Sequence, residues 1–181
     1  RMTLVGPAAE RTAERSRRIA GPVGCGLCGS ESLEEALRPL PPVQSSSIVT
    51  QQEIFDALRA LSAQQALNRE TRAVHAAGYW LRGRGLGAVR EDVGRHNALD
   101  KLAGALARGG ESAAEGMLLI SSRVSIEMVQ KATTMGAGIL VAVSAPTALA
   151  VRSAEAAGLT LVAIARDDGF EVFSAPERIK T

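Results

Sequence analysis

The segment GMLLISSRVSIEMVQKATTMGAGILVAVSAPTALAVRSAEAAGLTLVAIA, residues 116–165, decides the fold class. Three runs in it are mostly apolar: GMLLISS (116–122), ILVAVSA (139–145) and LTLVAIA (159–165). Between them, VSIEMVQKATTM (124–135) and PTALAVRSAEAAG (146–158) carry their apolar residues at helical spacing. The second helix has proline in its first turn and glycine just past its end. Strands that are apolar on both faces need cover on both, and the intervening helices supply it. The expectation is an α/β fold, a three-layer α/β/α arrangement.

The same alternation extends in both directions. FEVFS (170–174) follows the turn RDDG (166–169) and would add an antiparallel strand at the sheet's edge. Upstream, GAVREDV (87–93) reads as a strand and RHNALDKLAGALAR (95–108) as a helix closed by Gly109 and Gly110. Thr50 and Glu53 form a capping box ahead of Ile54, Phe55, Leu58 and Leu61, so a helix is expected over 51–67 with Asn68 at its C-terminal end. PLPPVQSSS (39–47) reads as a linker, and LEEALR (33–38) as one or two helical turns. The arginine-rich first 20 residues show no clean period. Two regions result: an N-terminal segment over 1–47 and an α/β domain over 48–181.

Composition narrows the function classes. The chain has 181 residues, 46% of them hydrophobic and 22% charged, as expected of a globular protein with a real core. Twenty-one Lys plus Arg against 19 Asp plus Glu leave +2, which is too balanced to suggest nucleic-acid binding. No apolar run reaches the ~18 residues of a membrane span, and the first residues lack the apolar core of a secretory signal. A cytoplasmic location is therefore expected, with no membrane and no nucleic-acid partner.

Both cysteines lie in GPVGCGLCGS (21–30), two residues apart and each followed by glycine. A CxxC lowers thiol pKa because the second S–H and nearby amides stabilise the anion, and Arg17 and Arg18 add positive potential close in sequence. Gly24, Gly26 and Gly29 argue for a mobile loop rather than the helix start of a thioredoxin-like site, which disfavours a dithiol oxidoreductase. A zinc site would need His75 and His96, whose 21-residue separation does not fit compact fingers. Two inert cysteines would be expected among apolar neighbours instead. Zinc-deaminase chemistry is excluded: His75 is followed by Ala76-Ala77 rather than x-Glu, and the CxxC lies upstream. A reactive thiol and no metal is the reading.

Polar residues recur where strands end. EDVGRHNALDK (91–101) places Glu91, Asp92, Gly94, Arg95, His96, Asn97 and Asp100 at a strand-to-helix turn, where free N–H groups suit a phosphate. The plainer alternative is a helix start whose Asn97 and Asp100 satisfy backbone donors. SSRVSIEMVQK (121–131) repeats the design with Arg123, SAPT (144–147) with two hydroxyls, and RDDG closes the next strand. Ligands of open α/β sheets sit at strand carboxyl ends. An anionic, nucleotide-bearing ligand is expected there. His75, between small residues, reads more simply as a packed or capping histidine.

Taken together, CGLCG (25–29), T-x-x-V-H-A-A (71–77), REDVGRHNALDKL (90–102), SSRVSIEMVQKA (121–132), VAVSAPTALAV (141–151) and LTLVAIARDDGFEVF (159–173) resemble the FdhD/NarQ family of formate dehydrogenase accessory sulfurtransferases. The resemblance runs from about Gly21 to near the C-terminus, and EDVGRHNALDK is its most specific part. It implies a cytidine-deaminase-like mixed sheet that has lost the deaminase zinc. It implies an activity: sulfur is taken from a cysteine desulfurase and passed to the molybdenum bis(molybdopterin guanine dinucleotide) cofactor of a molybdenum-dependent formate dehydrogenase. It places the persulfide on Cys25, with Cys28 beside it, and maps cofactor binding onto Ile164, Ala165, Arg166, Asp167, Asp168 and Gly169. Arg95, His96, Asn97, Arg123 and His75 join that site as candidates, and a guanine nucleotide would act as a surrogate ligand. A homodimer is implied as well. The alternative function is a non-catalytic carrier that holds and protects the molybdenum cofactor.

Two departures accompany the resemblance. Members read T-G-G-x-H-A-A where this chain has Arg72 and Ala73. The family's N-terminal β-rich region has no counterpart ahead of Arg1, so a shortened chain is expected.

Overall fold

The computed structural model describes residues 40–180. Their elements are β1 (Val49–Thr50), α1 (Gln51–Gln64), α2 (Ala66–Thr71), β2 (His75–Leu81), β3 (Gly85–Asp92), α3 (Arg95–Gly109), β4 (Met117–Ile120), α4 (Ile126–Thr134), β5 (Ile139–Ala142), α5 (Ala148–Ala157), β6 (Thr160–Arg166), β7 (Gly169–Ser174) and β8 (Ile179–Lys180). Six strands form one sheet in the order β3-β2-β4-β5-β6-β7, and β1 pairs with β8 in a separate two-stranded ribbon. The centre, β4-β5-β6, is parallel, with an antiparallel strand added at β7 and an antiparallel β2-β3 hairpin at the other side.

Alternation along the strands divides the core into two layers. Met117 and Leu119 of β4, with Ile139, Val141 and Val162, turn to the face covered by Ile54, Ala57, Leu58 and Leu61 of α1. Leu118 and Ile120, with Leu140, Ala142, Leu161 and Ala163, turn to the opposite face. There they meet Leu99, Leu102 and Leu106 of α3, Met128, Val129 and Ala132 of α4, and Ala150 and Ala154 of α5. Alanine at most α5 contacts lets that helix lie close to the sheet. The mixed sheet with helices on both faces is the expected α/β fold.

Several boundaries differ from expectation. β2 is a full central strand, although HAAGYWL has small residues where strand propensity looks for β-branched ones; its neighbours on both sides impose the conformation. The helix expected over 51–67 breaks at Gln65 (φ −79°, ψ 71°) and resumes as α2, with Asn68 inside it. The Thr50–Glu53 capping box is present in full. Pro146 lies ahead of α5 rather than in its first turn, because its segment pairs with Val124 in a parallel bridge and Thr147 becomes the N-cap. Residues 40–48 lack regular structure but dock firmly: Val43 N–H donates to Ala157 O at 2.9 Å and Ser45 Oγ to Ala114 O at 2.6 Å. LEEALR (33–38) and the first 20 residues lie outside the described residues.

Candidate functional site

The topology draws the polar segments to one end of the sheet. β4, β5 and β6 run in parallel, so their carboxyl ends share a side; β2 runs against β4, so its first residue, His75, lies there too. His75 is in register with Asp92, the last residue of β3. Backbone and hydroxyl bonds then stitch the rim together. Ala76 N–H donates to Ser121 Oγ (2.8 Å) and Ser121 N–H to Ala76 O (3.0 Å). Val124 bridges Pro146 beyond the ends of β4 and β5, and Ile164 N–H donates to Ser144 O at 3.3 Å. The rim is one continuous structure.

At its β3 end, Asp92 organises the turn. Its Oδ1 accepts from Gly94 N–H (2.9 Å) and Asn97 Nδ2 (3.2 Å), and its other oxygen pairs with Lys101. These bonds hold the Asp92 carboxyl down to about 2, the Lys101 bond contributing most. Asn97 is thus turned back toward Asp92. Glu91 serves a different element, since its two oxygens accept from Leu67 N–H and Asn68 N–H, each at 2.9 Å, and so cap α2. Asn97 and Asp100 do not satisfy backbone donors as the plainer alternative expected: Asn97 donates to Asp92 and Asp100 pairs with Lys131, while Asp92 and Glu91 accept from the backbone. Arg95 and His96 are not used in this way. Both are half-buried, and burial, with the Arg95 charge second, pushes His96 below its ordinary 6.5. His75 is pushed down by the same two causes in the same order.

At the other end, β6 departs from regular pairing between Ala163 and Arg166. Ile164 there has φ 52°, in the left-handed region that β-branched residues avoid. Such conformations persist only where surroundings enforce them, and they concentrate at functional sites. Ala165 is buried, whereas Arg166, Asp167 and Asp168 are exposed, the two aspartates forming the tip of the β6-β7 hairpin before Gly169. Arg123 is exposed beyond β4. The structure thus sets His75, Arg95 and His96 at one end of the rim and the 164–169 segment at the other. Three strand spacings separate β2 from β6, roughly 14 Å. Among the described residues no group of three or more His, Cys, Asp or Glu could hold a metal ion. Cys25 and Cys28 lie outside the described residues.

A family model for the FdhD/NarQ family matches residues 2–180. The chain belongs to the FdhD/NarQ family. Curated members include the sulfur carrier protein FdhD of Agrobacterium fabrum, 55% identical over 174 residues, covering 94% of this chain and 64% of that protein. The sulfur carrier protein FdhD of Cupriavidus necator is 51% identical over 171 residues, covering 94% and 59%. The chain thus spans about three-fifths of the length of these FdhD relatives. A crystal structure from Desulfotalea psychrophila, of a protein assigned as a formate dehydrogenase accessory protein, superposes with TM-score 0.72 at 34% identity over 78% of this chain and 60% of that one. Among the described residues of this FdhD/NarQ chain no helix is long and apolar enough to cross a membrane.

Two features of the site were not read from sequence. One is Ile164's backbone, which no residue type announces. The other is Glu127, 7% exposed in the first turn of α4, with neither carboxylate oxygen partnered. Its signal was available: a lone acid inside the apolar run VSIEMV (124–129).

Proposed function

We propose that this protein is a sulfur carrier that accepts persulfide sulfur on Cys25 from a cysteine desulfurase and delivers it to a molybdenum bis(molybdopterin guanine dinucleotide) substrate used by formate dehydrogenase. The Cys25 thiolate attacks the terminal sulfur of the donor persulfide. A new S–S bond forms on Cys25, the donor's S–S bond breaks, and the donor cysteine leaves as thiolate. Cys28 stabilises the Cys25 anion before attack. The CGLCG motif supports this chemistry, since attack needs both thiolate character and access.

The observation that carries the delivery half is the strained backbone at Ile164, at the start of the 164–169 segment. That segment ends a parallel strand, where α/β sheets take their ligands. A ligand reaching from it to Arg95 and His96 must be extended, which a dinucleotide is. Arg166 and Arg123, both exposed, would meet phosphates. The cytidine-deaminase-like layering, the cytoplasmic setting and the homodimer belong to the same reading.

The test is transfer itself. Protein charged with labelled sulfur on Cys25 should release the label to added cofactor, and the Arg166→Ala variant should load normally but release slowly. Release that ignores Arg166 and Arg123 alike would remove the strand ends from the pathway.

A further inference from the structure

Six side-chain polar atoms among the described residues are buried without a hydrogen-bond partner, and five of them lie at the starts of α3 and α4: Arg95 Nε, His96 Nε2, Ser125 Oγ and both oxygens of Glu127. Buried polar groups are almost always paired, so this concentration calls for a physical cause. Strands β3, β4 and β5 run the same way, because β3 and β4 both oppose β2 and β5 parallels β4. The two helices that connect them therefore lie side by side, both starting at the carboxyl end of the sheet. Asp100 and Lys131 form an ion pair across the seam between them. His96 stands one turn before Asp100 and Glu127 one turn before Lys131, so imidazole and carboxylate face each other across the same seam.

The seam is closed to ligands, since the orphaned atoms have almost no accessible surface. A proton needs no void. A neutral imidazole with its hydrogen on Nδ1 offers Nε2 as an acceptor, and an ionised carboxylate is acceptor-only. Two acceptors cannot bond, which accounts for the unpartnered Nε2 and the unpartnered carboxylate oxygens. One added proton turns Nε2–H into a donor, and a charge-assisted bond of that kind is about twice as strong as a neutral one. His96 is only half-buried, so the proton arrives from the rim.

We infer that His96 and Glu127 form a proton-operated latch between the starts of α3 and α4: a proton taken up on His96 Nε2 bonds the ring to the Glu127 carboxylate and ties the two helix starts together, and its loss releases them. Four charged groups face the ring. Arg95, its neighbour on α3, opposes protonation, and so does Lys131 of α4, which Asp100 holds. Glu127 and Asp100 favour it. Burial and Arg95 outweigh them, so the latch engages below the ordinary 6.5. From β2, His75 feels the same Arg95 charge, while Asp92 of β3 is paired with Lys101. Engaged, the latch turns the ring inward; released, it leaves His96 at the rim beside Arg95. As a control on ligand engagement there it rests on the proposed strand-end site; as a contact between two helices it does not.

The test uses the full chain without ligand. The protein holds two histidines, so their ring signals can be followed by NMR from about pH 8 to about pH 5 and assigned with His75→Gln. Glu127→Gln, an amide of the same shape without the charge, should lower the His96 midpoint by about one unit and leave that of His75 in place. In wild type the Glu127 carboxyl carbon should shift at the His96 midpoint, and the protection of first-turn amides in α3 and α4 should rise with protonation. An unmoved His96 midpoint in Glu127→Gln overturns the latch. So does a wild-type Glu127 signal, or amide protection, that ignores the His96 titration, and these two readouts decide the matter even where the variant does not fold. None of these outcomes bears on sulfur release at the strand ends, which the Arg166→Ala measurement tests separately.

Discussion

The Ile164 amide donates to the Ser144 carbonyl at 3.3 Å, fastening a left-handed, β-branched residue to the loop that follows β5. A left-handed conformation costs a residue with a Cβ about 1–2 kcal/mol. Ile164→Ala loses the half-buried side chain and keeps that strain; Ile164→Gly loses the side chain and releases it. The glycine variant should therefore be the more stable of the two by about 1 kcal/mol, measured by urea denaturation. In an ordinary strand position the order is reversed, so the reversed order would show that Ile164 is not strained.

Arg72 presents the same geometry without the packing. It is exposed at the end of α2 with φ 52°. Arg72→Gly should stabilise the protein by about 1 kcal/mol and Arg72→Val should destabilise it. Thermal melting of the three proteins checks the order.

Glu91 reaches from the end of β3 to cap α2, 24 residues away from Leu67 in sequence. Glu91→Ala removes the acceptor for two amide donors and should cost about 1–2 kcal/mol. The loss should be local, appearing as faster amide exchange at Leu67 and Asn68 than in the α3 core. Unchanged exchange there would mean that α2 holds itself.

Acid sensitivity follows from the rim. His75 and His96 are pushed below 6.5 in the folded protein, so the unfolded chain binds more protons as pH falls through that value, and stability drops. Asp92, held at about 2 against an ordinary 3.8, contributes stability that is present above 3.8 and lost as pH falls toward 2. Substituting both histidines by glutamine should flatten the dependence of melting temperature on pH below 6.5. Asp92→Asn should flatten it only in the lower window.

The sheet was legible wherever a strand is buried on both faces, because runs such as ILVA of β5 have no other favourable environment. β2 was not, because Ala76, Ala77 and Gly78 are there to let α1 and α3 approach closely: a Cβ on Gly78 would stand 2.9 Å from Leu61 Cδ1. The gathering of polar segments at one end of the sheet was legible as well, since polar turns recurred at successive strand ends. The roles within EDVGRHN were not. Glu91 caps a helix that is distant in sequence, and Asp92 bonds within its own turn, so identical residue types divide between scaffold and site only in three dimensions. Ile164 shows the limit most plainly: strain comes from what surrounds a residue rather than from its side chain.

The proposed mechanism turns on a sulfur atom carried by Cys25, and mass spectrometry of the full chain after incubation with a cysteine desulfurase and cysteine detects that atom without intermediaries. One added sulfur should appear, lost on treatment with reductant, mapped to the peptide containing Cys25, and missing from the Cys25→Ala variant while Cys28→Ala retains it. Equal loading of the Cys25→Ala variant, or no loading of wild type, would refute the mechanism.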